Sequence, residues 1–129
     1  MNALGKHLLL ELKDCDPSTL DSPDLLRDAL LAAAKEVGAT IIGESFHRFE
    51  PHGISGVVII AESHLCIHTW PEYGFAAVDI FTCGNTVKPW IGYKYLVKYL
   101  KAKNSTATEM KRGVLSISPR SRKKFLIPA

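Results

Sequence analysis

Two pairs of strand-like segments, each closed by a short turn rich in proline and glycine, separate two helical stretches. Few folds accommodate that order. Ala39 to Phe49 and Ile54 to Ala61 flank Glu50-Pro51-His52-Gly53, while His64 to Trp70 and Phe75 to Thr82 flank Pro71-Glu72-Tyr73-Gly74. Turns this short join antiparallel neighbours. Upstream, Lys6 to Leu12 reads as a mostly buried strand. A helix then starts at Ser22-Pro23-Asp24, where a hydroxyl cap, a proline whose missing N–H costs nothing and an acid at the positive dipole end coincide. Leu26, Leu30, Ala33 and Val37 make its apolar stripe, and Gly38 supplies the stop. A second helix is expected from about Lys88 to Lys101, with Trp90, Tyr93, Val97 and Leu100 on one face, and a last short strand near Thr108 to Ile117. The expected architecture is a two-layer α/β sandwich, a mainly antiparallel sheet with two helices on one face. The other face then needs a cover, and a second subunit is the simplest one.

Composition narrows the class. With 129 residues, 47% hydrophobic and 22% charged, the chain suits one globular domain over residues 1–129 and excludes a disordered or low-complexity polymer. The longest apolar run, Gly56 to Ala61, is far short of the roughly 18 residues that cross a membrane. Met1 to His7 lacks the basic start and apolar stretch of a signal peptide, and three cysteines indicate no disulfide framework. A cytoplasmic protein is expected. The net charge of +3 conceals an asymmetry, because residues 101–129 hold 8 basic side chains against Glu109 alone. No aromatic residue interleaves with those charges as a base-stacking surface needs, so they read as a solvated helix end and tail rather than a nucleic-acid patch.

Reactive side chains concentrate between Glu62 and Cys83, and spacing leaves several chemistries open. His64, Cys66 and His68 recur at every second residue, so one strand face carries three soft ligands, and zinc with Cys83 as a fourth is conceivable. That spacing is uncommon for zinc, and no metal is expected. A cysteine nucleophile, Cys83 or Cys66, paired with His68 is a second reading. The bland reading makes Cys66 a small core residue and His64 a residue without a role.

The contiguous string Glu62-Ser63-His64-Leu65-Cys66-Ile67-His68-Thr69-Trp70-Pro71-Glu72, with Phe81-Thr82-Cys83-Gly84, resembles the self-processing, pyruvoyl-dependent S-adenosylmethionine decarboxylases of the short prokaryotic type. Gly5-Lys6-His7, Phe46-His47-Arg48-Phe49 and Gly53-Ile54-Ser55-Gly56-Val57-Val58 extend the resemblance, which fades after roughly Trp90. It implies a proenzyme that cuts itself between Glu62 and Ser63 into chains 1–62 and 63–129. The Ser63 hydroxyl attacks the Glu62 carbonyl to form an ester. Loss of the Ser63 α-proton expels the Glu62 carboxylate, and the dehydroalanine left behind hydrolyses to a pyruvoyl group and ammonia.

By the same resemblance, His68 transfers protons during processing and Ser55 hydrogen-bonds the cyclic intermediate. Ser63 and His68 have opposite parity in an ideal strand, so the chain has to bend near Ser63 for the two to meet. The pyruvoyl cofactor, generated from Ser63, holds the substrate amine as a Schiff base and accepts electrons as carbon dioxide leaves. Cys83 matches the donor that returns a proton to the substrate carbon. Phe49 and Trp70 match aromatic positions that hold the adenosyl part, Glu72 an acid for the ribose hydroxyls, and Leu65 a pocket wall. The implied partners are S-adenosylmethionine, feeding spermidine synthesis, and further copies of the chain in a homo-oligomer whose site lies between protomers. A pyruvoyl-dependent arginine or ornithine decarboxylase is the alternative enzyme. A small-molecule binding module without covalent chemistry is the alternative outside enzymes.

Overall fold

The computed structural model describes residues 3–115. Along the chain come β1 (Ala3–Lys13), α1 (Pro17–Leu20), α2 (Pro23–Glu36), β2 (Ile41–Arg48), β3 (Ile54–Ile60), β4 (Ser63–Trp70), a 3-10 turn (Pro71–Tyr73), β5 (Phe75–Cys83), α3 (Pro89–Tyr99) and β6 (Asn104–Val114). The strands form one antiparallel sheet in the order β2-β3-β4-β5-β1-β6. Four consecutive strands thus meander, and β1 inserts between β5 and the edge strand β6. The helices lie on one face, α2 against β2, β3 and β4, and α3 against β1 and β5. This is the α/β sandwich that the sequence implies, with a short third helix, α1.

Strand alternation sorts the side chains between the two faces. Leu8, Leu10, Leu12, Ile54, Val58, Leu65, Ile67, Val78 and Ile80 point to the helices and are fully buried with Leu26, Leu30, Ala33, Leu96 and Leu100. The intervening residues, including Ser55, His64, Cys66, His68, Asp79, Phe81 and Cys83, are at least partly accessible on the helix-free face. Helix α2 begins as its sequence requires: Ser22 Oγ accepts the Leu25 N–H at 3.2 Å, and Gly38 leaves the helix at φ 85°.

Two expectations shift. The buried stripe of α3 is Pro89, Gly92 and Leu96, continuing to Leu100; of the expected face, Tyr93 and Val97 pack half-buried at its edge and Trp90 points away. A Cβ on Gly92 would lie 2.8 Å from Val37 Cγ1 and 3.0 Å from Ile80 Cδ1, so the glycine permits the close approach. A glycine contributes nothing to hydrophobic periodicity, which is why the pattern pointed one step aside. Trp90 is 40% exposed and donates its indole N–H to Glu109 Oε1 on β6 at 2.7 Å. Strand β6 starts four residues before the expected Thr108, and the stretch of that expectation beyond 115 lies outside the described residues, as do Arg120, Arg122, Lys123 and Lys124. An edge strand that is exposed along most of its length carries little apolar alternation to mark its start.

Candidate active site

The segment that resembles a self-cleavage motif sits on a hairpin turn. Ala61 and Glu62 connect β3 to β4, with Ile60 opposite Ser63. Ser63 has φ 137°, a conformation that L side chains rarely adopt. Such a residue stores about 1–3 kcal/mol and persists only where its surroundings impose it. The bend expected near Ser63 is therefore present. From β5, the Cys83 N–H donates to the Glu62 carbonyl oxygen at 2.7 Å, while Cys83 Sγ lies 3.2 Å from Ser63 Oγ. From the loop after α2, Thr40 grips the same turn. Its N–H donates to Glu62 Oε1 at 3.1 Å, its hydroxyl to Oε2 at 3.4 Å, and its carbonyl accepts the Ala61 N–H at 2.8 Å. A strained serine thus follows a carbonyl whose oxygen already receives a short hydrogen bond.

The remaining candidates gather at the other end of β4. Ser55 and His68 face each other across β3 and β4, with Ser55 Oγ 2.8 Å from His68 Nδ1. They border a cleft of about 300 Å³ that Phe49, His52, Trp70 and Glu72 also line. Phe49 and Trp70 are 46% and 40% exposed, so both rings offer free surface. Glu72 Oε1 lies 3.0 Å from His52 Nε2. Arg48 braces the turn beside the cleft by pairing with Asp21 at 2.9 Å, and the other Asp21 oxygen accepts the Gly53 N–H at 3.0 Å. The Arg48 hydrogen bond, followed by that of Gly53, holds the Asp21 carboxyl below its ordinary range. Thr69 pins the cleft floor, its hydroxyl donating to the Leu20 carbonyl at 2.8 Å and accepting the Ile54 N–H at 3.0 Å. Leu65 is fully buried toward the helices and is not among the cleft's lining residues, because its strand parity is opposite to that of His68 and Trp70.

The bend does not bring Ser63 and His68 together within one chain. Five residues of strand separate them, roughly 16 Å at about 3.3 Å per residue. The span undoes the nucleophile pair for Cys83, which touches Ser63 while His68 is engaged with Ser55; Cys66 shares a strand face with His68, but burial and Asp79 hold its thiol in the protonated form. The zinc spacing fares no better. His64, Cys66 and His68 share a face, yet among the described residues the ligating atoms that cluster within 4.8 Å belong to His7, His64 and Asp79. Arg112 Nη1 lies 3.1 Å from His7 Nδ1, and His7 Nε2 lies 3.6 Å from Asp79 Oδ2. Burial, with His7 adding, lowers the His64 pKa, and burial, with Asp79 adding, raises the Cys66 thiol. Cys15 is buried and pushed up to about 11, chiefly by that burial.

These two clusters can be compared with known proteins. Residues 6–113 match the family model described as S-adenosylmethionine decarboxylase. The chain belongs to this family. The similarity therefore continues well past Trp90, where the sequence motifs alone fade. The S-adenosylmethionine decarboxylase proenzyme of Thermodesulfovibrio yellowstonii is 57% identical over 116 residues, covering 90% of this chain and 86% of its own. The proenzyme of the same name from Caldanaerobacter subterraneus is 55% identical over 114 residues, covering 88% and 92%. The crystal structure of the adenosylmethionine decarboxylase from Aquifex aeolicus superposes with a TM-score of 0.85 at 36% identity, covering 92% of this chain and 98% of that one. Among the described residues, no helix is long and apolar enough to cross a membrane.

Sequence reasoning missed Thr40, His52, Asp21 and Thr69. His52 and Asp21 carried a weak signal, as charged residues in or beside turns. Thr40 lies 22 positions from Glu62 in a helix-to-strand loop, and nothing local marks it.

Proposed function

We propose that this chain is a pyruvoyl-dependent S-adenosylmethionine decarboxylase that builds its cofactor by cutting itself between Glu62 and Ser63. The observation that carries the reading is the strained Ser63 beside a Glu62 carbonyl whose oxygen receives the Cys83 N–H at 2.7 Å. That donor lies where negative charge develops when the Ser63 hydroxyl adds to the carbonyl, so it favours the tetrahedral state over the ground state. The ester that follows opens by loss of the Ser63 α-proton and departure of the Glu62 carboxylate. The chain becomes segments 1–62 and 63–129, which stay together because β3 and β4 remain paired and share one core.

The residues around Ser63 fit the group it would become. When formed, the pyruvoyl ketone binds the substrate amine and takes up the electrons released with carbon dioxide. Cys83 Sγ, 3.2 Å from Ser63 Oγ, is placed to return a proton to the substrate carbon. The proton-transfer partners come from a second copy. With His68 and Ser55 roughly 16 Å from Ser63 in their own chain, a partner packed on the helix-free face supplies them, along with its cleft. That face carries exposed apolar side chains, Ile59, Trp70 and Met110, as an interface needs. In the assembled site, Phe49 and Trp70 offer aromatic faces to the adenine and the sulfonium, and Glu72 accepts from the ribose hydroxyls.

Two measurements test this. On a denaturing gel the wild-type protein gives two bands and Ser63→Ala one. Carbon dioxide is released from S-adenosylmethionine and not from arginine or ornithine. A variant lacking the Ser63 hydroxyl that still splits at this bond refutes the mechanism, and release from arginine or ornithine alone refutes the substrate.

A further inference from the structure

The geometry points to Thr40 as a positioning residue for self-cleavage, a clamp that holds the Glu62 turn in its strained form. This inference rests on the reading of Glu62–Ser63 as the scissile bond. Three polar groups of one residue converge on two consecutive turn residues. The Thr40 carbonyl takes the Ala61 N–H at 2.8 Å, and its N–H and hydroxyl take the two Glu62 carboxylate oxygens at 3.1 and 3.4 Å. The Cys83 N–H holds the Glu62 carbonyl oxygen at 2.7 Å. Glu62 is therefore fixed through its side chain from the α2–β2 loop and through its backbone from β5.

The loop that carries Thr40 is itself anchored. Gly38, at φ 85°, ends α2; the Ala39 N–H donates to Ala34 O at 3.0 Å, and Val37 O accepts the Lys88 N–H at 2.9 Å. An isolated hairpin would relieve a non-glycine residue at φ 137° by rotating the peptide that precedes it. Here that peptide carries the Glu62 carbonyl, so rotating it pulls the oxygen off the Cys83 N–H, and Thr40, by holding the Ala61 N–H and the Glu62 carboxylate, keeps the Glu62 Cα from shifting to compensate. The clamp thus keeps the strain at Ser63 and the Glu62 carbonyl oxygen on the Cys83 N–H. Thr40 touches neither the attacking oxygen nor the carbonyl, so its contribution is positional. After cleavage the same contacts hold the new end of segment 1–62 in place.

Thr40 is exposed, so its replacement leaves the core intact. Cell-free synthesis of the full chain, sampled over time on denaturing gels, reads the cleavage rate directly. Thr40→Val removes one long hydrogen bond and should slow cleavage by about 2- to 5-fold, while Glu62→Ala removes both carboxylate contacts and should slow it by roughly 10-fold. Thr40→Ser, which keeps the hydroxyl, should recover the wild-type rate. The double variant Thr40→Val/Glu62→Ala should cleave no more slowly than Glu62→Ala alone, because the valine then has no partner to lose. Repeating both single substitutions on Ser63→Ala and comparing thermal midpoints separates unfolding from mispositioning. Wild-type cleavage with unchanged rates in both single variants overturns the clamp alone, as do effects that multiply in the double variant. A wild-type chain that never cleaves overturns the self-cleavage reading and the clamp with it.

Discussion

Strain at Ser63 has a consequence for stability that does not involve catalysis. Ser63→Ala and Ser63→Gly both lack the hydroxyl, so both should remain single chains and unfold without the complication of a cut. Both also lose the 3.2 Å contact to Cys83 Sγ, so that term cancels between them. What remains is the backbone. Alanine at φ 137° keeps a strain of about 1–3 kcal/mol, whereas glycine adopts that region freely. Against this, glycine loses roughly 0.5–1 kcal/mol more chain entropy than alanine on folding. At mid-range values the difference favours glycine by about 1 kcal/mol, the reverse of the usual order at a strand position. For a chain of this size each kcal/mol moves the midpoint by about 3–5 °C, so the glycine variant should melt roughly 3–5 °C above the alanine variant. Calorimetry or circular dichroism at matched protein concentration measures it, matched because subunit association shifts the midpoint. An alanine variant that melts at or above the glycine variant would refute the strain, and with it the physical basis for the clamp.

Three further outcomes are expected. Cys83→Ala keeps the backbone N–H that holds the Glu62 carbonyl, so it should still yield two bands on a gel. Its turnover should collapse, because protonation at the former pyruvoyl carbon would leave the substrate's nitrogen on residue 63 as alanine, with water releasing the rest of the substrate as an aldehyde; wild-type turnover would remove Cys83 from the chemistry. Phe49→Ala should lower kcat/KM for S-adenosylmethionine by about 5- to 150-fold, the equivalent of about 1–3 kcal/mol for one stacked base, with self-cleavage unchanged on the gel. Burial holds the folded His64 pKa below its ordinary 6.5, so the unfolded chain binds more protons there. Stability should therefore fall as pH drops below about 6.5 and go on falling toward the folded pKa, and His64→Gln should flatten that part of the melting-temperature profile. An unchanged slope would show that the imidazole is not held neutral.

The linear order of residues was enough for whatever depends on near neighbours. The Ser22 cap, the Gly38 stop, the alternating strands and the two turns are local features, and each appears where its chemistry requires. The Glu62–Ser63 pair stood out only through the resemblance of its surrounding string to a known family, since every residue–serine dipeptide sets a hydroxyl beside a carbonyl and nothing local distinguishes this one. The apolar stripe of α3 was misplaced because its packing face is a glycine, and β6 was shortened because an exposed edge has little apolar pattern. Only the tertiary structure decided what holds the Glu62–Ser63 turn. Thr40, Glu62 and Cys83 come from a loop, a hairpin and a distant strand, and a hydrogen bond between them depends on sheet register, which no local pattern encodes. It also decided that Ser63 and His68 stay apart in one chain. They occupy opposite ends of a single extended strand, and a strand cannot fold back on itself without giving up the ladder that holds it in the sheet.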